Sequence, residues 1–295
     1  MPELPEVETV RRTLEPRLLG RRILSFEALW AKSLAGSPET LKNLAHSLKN
    51  KQVFCLKRRG KLLLVLLADE VKVQNCTQAQ SLQPDLILAF HLKMTGQVLI
   101  KPTGTEPGRH TRLIFTLDEG LLFFDDMRKF GFCRVMLPEE LEQWPFWKNL
   151  GPEPLEIDEK VFGQCFFKDA KPNELLTGKI KNVLMDQKVI AGVGNIYADE
   201  ALFRAGIKPD LPVNKLNPSR LKKLHKQLQA VLNDGLLAGG SSIRDYRDAN
   251  GESGSFQENF NVYGKRGQPC PVCGEPLEHM KLAGRSTVFC KCCQK

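Results

Sequence analysis

Cys270-Pro-Val-Cys273, sixteen intervening residues and then Cys290-Lys-Cys-Cys293 is the stretch on which the organisation of this chain turns. Two CxxC pairs at that spacing are the pattern of a four-thiolate structural zinc site. The segment is too short to bury a core of its own. A metal would therefore supply its folding free energy, and the two knuckles would hold a β-hairpin between them. The expected ligands of this single Zn2+ are Cys270, Cys273, Cys290 and Cys293, with Cys292 a spectator outside the CxxC spacing. A pair of disulfides is the alternative. It is disfavoured because the first residues do not read as a secretory signal and cytosolic thiols stay reduced. Cys55, Cys76, Cys133 and Cys165 are too scattered for a second metal site and read as core or surface thiols.

Working outward from the hairpin, its Lys281, Arg285 and Lys291 belong to a basic chain: 43 Lys+Arg against 34 Asp+Glu, a net charge of +9 and a pI near 9.1. That balance favours a polyanionic partner such as nucleic acid. At 295 residues the chain should hold about two domains with real cores. No run of eighteen apolar residues is present, which excludes a helical membrane span and favours a cytoplasmic protein. Nothing resembles a coiled coil or an extended apolar face, so a monomer is expected.

Periodicity predicts an α+β protein. A helix should run from about Pro5 to Leu18, with Val7, Val10, Leu14 and Leu18 on one face and Gly20 ending it. Strand-like runs follow at Val53–Lys57, Lys61–Leu67, Asp85–Leu92, Gln97–Ile100, Leu113–Leu117, Leu121–Asp125 and Phe132–Leu137, which predicts a β-sandwich without intervening helices. Glu70 to Pro84 is polar and Gln-rich and reads as a surface excursion. Gly151-Pro-Glu-Pro-Leu is a linker, after which the pattern turns helical through Asn233. Within that half, Leu184 to Tyr197 passes from one helix through a Gly turn into another near Asn195, a helix start whose N–H groups suit a phosphate, although a hairpin of helices with no ligand reads equally well. The expected domains are a β-sandwich with its N-terminal helix (1–150), a helical DNA-binding domain (151–238), a Gly/Ser-rich segment read as a mobile lid or a plain loop (239–268) and the zinc hairpin (269–295).

The N-terminus carries candidate chemistry. In Met1-Pro2-Glu3-Leu4-Pro5-Glu6, removal of Met1 would leave a secondary amine beside a carboxylic acid. An N-terminal amine titrates near 7.7–8.0, so it is partly unprotonated at neutral pH and can attack a sugar C1′. Taken alone, the same residues also read as a solvated arm opening a helix.

PELPEVET at the start, Met94-Thr-Gly, Met127-Arg-Lys-Phe-Gly131, Gly192-Val-Gly-Asn-Ile-Tyr and Gly284-Arg-Ser-Thr together resemble the bacterial formamidopyrimidine-DNA glycosylase family. The resemblance implies a β-sandwich, a helix-two-turn-helix domain and a zinc β-hairpin. It also implies a bifunctional glycosylase and AP lyase that excises oxidised purines such as 8-oxoguanine and formamidopyrimidines from double-stranded DNA. Pro2 would be the nucleophile and Glu3 the acid that protonates the sugar ring oxygen. Lys61 would serve the first elimination, Arg285 the phosphate of the second, and Glu6 would orient the amine or a water. Met94, Arg128 and Phe130 would fill the void left by the flipped base. His110, Lys181 and Asn195 would contact phosphates. Met127 and Lys129 depart from a Pro and an Arg usual in the family. Leu175-Leu-Thr-Gly lacks a basic residue that Lys179 could replace. The competing readings are an endonuclease VIII-type enzyme for oxidised pyrimidines and a DNA-binding protein without chemistry.

Overall fold

Helix α1 (Leu4–Leu18) begins because the Glu6 carboxylate, in its first turn, accepts the Glu3 N–H at 2.8 Å, and because Pro5 has its φ already set for a helix. Val7, Val10, Leu14 and Leu18 are all buried on the face the sequence predicts. In a computed structural model, residues 1–35, 41–74, 82–168, 171–243 and 245–295 are described; Cys76 and the rest of positions 75–81 of the Gln-rich excursion lie outside them. The described residues fall into two compact units, 1–148 with 239–255, and 149–238 with 256–295.

In the first unit α1 is followed by β1 (Ile23–Ala28), α2 (Leu41–Leu48), β2 (Lys51–Arg59), β3 (Leu62–Asp69), α3 (Glu70–Gln74), β4 (Leu86–His91), β5 (Gly96–Lys101), β6 (Thr111–Leu117), β7 (Leu121–Asp126), β8 (Phe132–Met136), α4 (Pro138–Gln143) and α5 (Pro145–Lys148). Two four-stranded antiparallel sheets result, ordered β1-β6-β7-β5 and β2-β3-β4-β8. Their facing sides share one core. Phe115 meets Phe26 at 4.9 Å and Phe90 at 6.1 Å between ring centroids, and Val7, Val10, Leu14 and Leu18 of α1 join the same cluster. Leu62, Leu64 and Leu66 point to the opposite side, into a second cluster with Phe54, Met136 and Leu141. Buried on both faces, β3 reads as an unbroken apolar run rather than an alternation. The sandwich stands as expected, with three corrections. β1 and α2 were not foreseen, so helix does interrupt the strands, and Glu70–Gln74 of the excursion is the short α3.

His91, at the end of β4, is buried between Phe132 and Phe146, with ring centroids 5.6 and 5.7 Å away. Its Nδ1 accepts the Lys93 N–H at 3.1 Å. Burial first, then the charges of Lys93 and Lys61, push its pKa down to about 3. The folded imidazole is neutral where the unfolded one binds a proton. This contribution is therefore complete above the unfolded value near 6.5 and is lost as pH falls towards 3, at up to about 1.4 kcal/mol per pH unit. Urea midpoints of His91→Gln and the parent at pH 7 and pH 5 should show a smaller pH difference in the variant.

The second unit contains α6 (Glu159–Gln164), β9 (Phe167–Lys168), β10 (Lys171–Leu175), α7 (Ile180–Leu184), α8 (Asn195–Ala205), α9 (Pro218–Leu237), β11 (Glu278–Leu282) and β12 (Arg285–Phe289). The β9–β10 pair corrects the all-helical expectation. Asn217 caps α9 by accepting the Arg220 N–H at 2.9 Å, and Leu221, Leu224, Leu228, Val231 and Leu232 form its buried stripe. α9 packs on α8 across Gly235, where a Cβ would lie 2.5 Å from the Tyr197 hydroxyl. On α8 the buried Glu200 carboxylate accepts N–H groups of Asn261, Val262 and Tyr263 and so fixes the strand of chain that leads into the hairpin.

Candidate active site and metal centre

The start of α1 is held from a distant part of the chain. While one Glu6 oxygen takes the Glu3 N–H, the other accepts the Ser241 N–H at 2.8 Å and the Ser241 hydroxyl at 3.0 Å; the Tyr246 hydroxyl donates to the Glu6 carbonyl at 3.2 Å. Pro2, Glu3 and Glu6 are all buried. Glu6 thus fixes the Glu3 backbone, the residue next to Pro2. Tyr246 and Ala249 belong to the sandwich core, and Ser241 bridges to Ser255. Gly239 to Ser255 of the Gly/Ser-rich segment therefore belong to the first unit; Arg244 lies outside the described residues.

Gly240 makes this docking possible. Its φ is +84°, and a Cβ there would stand 2.9 Å from Glu6 Cγ and 3.1 Å from its Oε1. Gly240→Ala should destabilise the protein by about 1–3 kcal/mol. Thermal melts of the variant and the parent check this.

Lys61 occupies the two-residue turn with Gly60 between the paired Arg59 and Leu62, and is buried. Gly60 has a φ of +56°, as a tight hairpin turn requires. Met94 and Phe130 are 40% and 56% exposed, so neither is the core residue that a lone Met or Phe usually is. Arg128 is exposed too, with its guanidinium 4.9 Å from the Phe130 ring centre. Lys129 takes a left-handed φ of +58° and lays its ammonium 3.8 Å over Trp30. The half-buried His110 receives the Asp126 N–H on its carbonyl at 2.9 Å.

In the second unit Arg285 is exposed at the hairpin tip, directly after Ala283 and Gly284, both at positive φ. Asn195 opens α8 as expected, but its side-chain amide donates to the Ser286 carbonyl at 3.1 Å. Lys181 corrects the sequence reading. It is 1% exposed, ion-paired with the equally buried Asp199 at 2.7 Å, and hydrogen-bonded to the Thr287 hydroxyl at 2.8 Å and the Ser286 carbonyl at 3.2 Å. Its charge is spent inside the protein, securing the hairpin to α8 rather than meeting a phosphate. Burial lifts the Asp199 pKa to about 7 against the pull of Lys181. Nothing in the sequence marks Asp199 as the partner of Lys181.

The Sγ atoms of Cys270, Cys273, Cys290 and Cys293 all lie within 4.8 Å of one another, with Cys270–Cys293 at 3.8 Å and Cys273–Cys290 at 3.5 Å. A tetrahedron of thiolates about 2.3 Å from zinc has edges of about 3.8 Å, so these residues fit one Zn2+. The same separations are far beyond a disulfide bond. Cys292 is exposed and stands outside the group, as the spacing predicts.

Three family models match in sequence: the formamidopyrimidine-DNA glycosylase N-terminal domain over residues 1–133, the H2TH domain of the same enzymes over 150–247, and the zinc finger found in FPG and IleRS over 267–295. A formamidopyrimidine-DNA glycosylase of Desulfitobacterium hafniense is 42% identical, with all of both chains covered. The chain belongs to the formamidopyrimidine-DNA glycosylase family. A solved structure of a Lactococcus lactis FPG mutant with a Fapy-dG containing DNA superposes with a TM-score of 0.85 at 35% identity over the full length of both chains. Wild-type Lactococcus lactis FPG with an oxidised pyrimidine containing DNA gives 0.84 at 34%, again covering both chains completely. The formamidopyrimidine-DNA glycosylase family thus accounts for the sandwich, the paired helices and the four-cysteine hairpin together. Signals that sequence reasoning passed over are Ser241 and Gly240 beneath Glu6, and Asp126 between the exposed Met94 and Arg128 loops.

Proposed function

We propose that this DNA glycosylase and AP lyase of base excision repair removes oxidised purines through Pro2, with Glu3 as its acid. The supporting observation is the docking of Glu6 on Ser241, which fixes the backbone of the residue next to Pro2. The damaged nucleotide must leave the stack, because its glycosidic bond is out of reach inside a duplex. Met94, Arg128 and Phe130, exposed together on the first unit, supply an unbranched, a planar and an aromatic group to take its place. Once Met1 is removed, the Pro2 nitrogen attacks C1′ while Glu3 gives its proton to the ring oxygen. The base departs and an iminium remains. The iminium acidifies C2′–H, so loss of that proton expels the 3′ phosphate, and a second elimination expels the 5′ phosphate. Lys61 serves proton transfer and phosphate binding in the first step and Arg285 the phosphate in the second. Zn2+ bound by the four cysteines contributes folding free energy to the hairpin that carries Arg285.

No helix among the described residues is long and apolar enough to cross a membrane. We place the protein in the bacterial cytoplasm, working on the nucleoid as a monomer. Oxidised pyrimidines form a second substrate class to test, since the Lactococcus lactis FPG has been captured with such DNA. Borohydride reduces an iminium to a stable amine. Trapping on duplexes with one 8-oxoguanine opposite cytosine, or one oxidised pyrimidine, should give a covalent product at Pro2 mainly on the purine duplex and none with Pro2 blocked by a retained Met1. A preference for the pyrimidine duplex would move the assignment to the endonuclease VIII class.

A further inference from the structure

The exposed Met94 and the exposed Arg128–Phe130 pair lie on separate loops, yet one carboxylate ties both. Asp126, at the end of β7, is 0% exposed. Its Oδ1 accepts the Thr95 hydroxyl at 2.5 Å and the Arg128 N–H at 3.2 Å, and its Oδ2 accepts the Gly131 N–H at 2.6 Å. The Arg128 N–H also lies 3.1 Å from Thr95 Oγ1, so the hydroxyl passes the contact from one loop to the other. The backbone of Asp126 is fixed as well. Its N–H donates to the His110 carbonyl at 2.9 Å, and its carbonyl accepts Nε–H of the buried Arg112 at 2.8 Å.

Both loops are tightly seated around this carboxylate. A Cβ on Gly131 would come within 2.9 Å of the Phe124 ring and 3.1 Å of Asp126 Oδ2, and one on Gly96 within 2.6 Å of the Leu92 carbonyl. Gly96 is the register partner of Asp126. Lys129 and Phe130 are thus held between two anchors on one side chain, the N–H groups of Arg128 and Gly131, while Met94 is bonded directly to the residue that shares it. Hydrogen bonds to a buried carboxylate are charge-assisted and short, and removing one partner leaves the others unsatisfied.

We propose that Asp126, acting with Thr95, is a positioning residue that makes Met94, Arg128 and Phe130 enter the DNA as a single body. Filling of the void and reading of the opposite base then occur together. This deepens the void-filling role assigned above and rests on it. Each side chain alone would gain little by entering a stacked duplex; locked together, they offset the unstacking of the lesion in one event.

The test uses the full-length protein with Thr95→Val, Thr95→Ser and Asp126→Asn. A 2-aminopurine beside the lesion reports unstacking, single-turnover assays report 8-oxoguanine excision opposite cytosine and opposite adenine, and a preformed abasic duplex reports Pro2 chemistry without base eversion. Thr95→Val and Asp126→Asn should slow excision 10- to 100-fold, compress the cytosine-to-adenine ratio and split the single 2-aminopurine phase into two. Cleavage of the abasic duplex should change less than threefold, and Thr95→Ser should restore all readouts. Unchanged excision and an unchanged opposite-base ratio in Thr95→Val would overturn the coupling. An equal fall in every activity, abasic cleavage included, would reduce Asp126 to a stability role and overturn it as well. The triple variant Met94→Ala, Arg128→Ala, Phe130→Ala isolates the underlying reading: wild-type excision and fluorescence there would remove the void-filling role itself.

Discussion

Glu3→Gln should lose excision of 8-oxoguanine by about 10²- to 10⁴-fold, the usual worth of a positioned general acid, while still forming a borohydride-trapped adduct at a preformed abasic site. The difference follows from what each substrate requires. An intact nucleoside holds its sugar closed, and opening it needs a proton at the ring oxygen while Pro2 attacks. An abasic sugar is already in equilibrium with its aldehyde, which an amine can condense with unaided. The amide that replaces the carboxylate would keep the side chain's shape, and the backbone N–H that Glu6 accepts at 2.8 Å would be untouched, so the loss would be chemical rather than structural. Equal loss on both substrates would show that the carboxylate acts by holding Pro2 and not by protonating the sugar.

Removal of zinc should have the other large effect. Structural zinc sites of this kind release about 10–16 kcal/mol on binding at neutral pH. The apolar cluster beneath the hairpin is small, built from Phe203, Val262, Leu277 and Val288 together with the ligand residues Cys270 and Cys290. Chelation, or Cys273→Ser, should release one equivalent of Zn2+, expose residues 256–295 to protease and weaken binding to damaged duplex by at least 100-fold. The sandwich unit should keep its cooperative melt. If DNA affinity survives with the metal gone, the hairpin is not part of the interface.

Much of the fold is legible because periodicity reports burial directly. Val7, Val10, Leu14 and Leu18 mark α1, and the apolar run at Leu62–Leu67 marks a strand covered on both faces. β1 escapes because only Ile23 is fully buried along it and its pairing with β6 slips between Ile23 and Ser25, which breaks the alternation. α2 carries Leu41, Leu44 and Leu48 at helical spacing, a signal that was there to be used. The four zinc ligands are legible for a different reason, since metal geometry constrains local spacing. Lys181 is the opposite case. Whether a lysine faces solvent or a buried carboxylate depends on Asp199 and on the hairpin strand near Thr287, more than a hundred residues away in sequence. The contact of Glu6 is hidden for the same reason, because its partner Ser241 comes from a distant segment whose Gly and Ser content suggests a loop.

The bond between Glu6 and Ser241 spans 235 positions of the chain. At about 5–20 residues per second of synthesis, the ribosome needs on the order of ten to fifty seconds to make the second partner after the first. Glu6 therefore emerges long before Ser241, and the start of α1 is among the last parts of the first unit to be assembled. A product truncated before residue 239 would carry Glu3 and Glu6 without Ser241, so the start of α1 would gain its support only once most of the polypeptide exists.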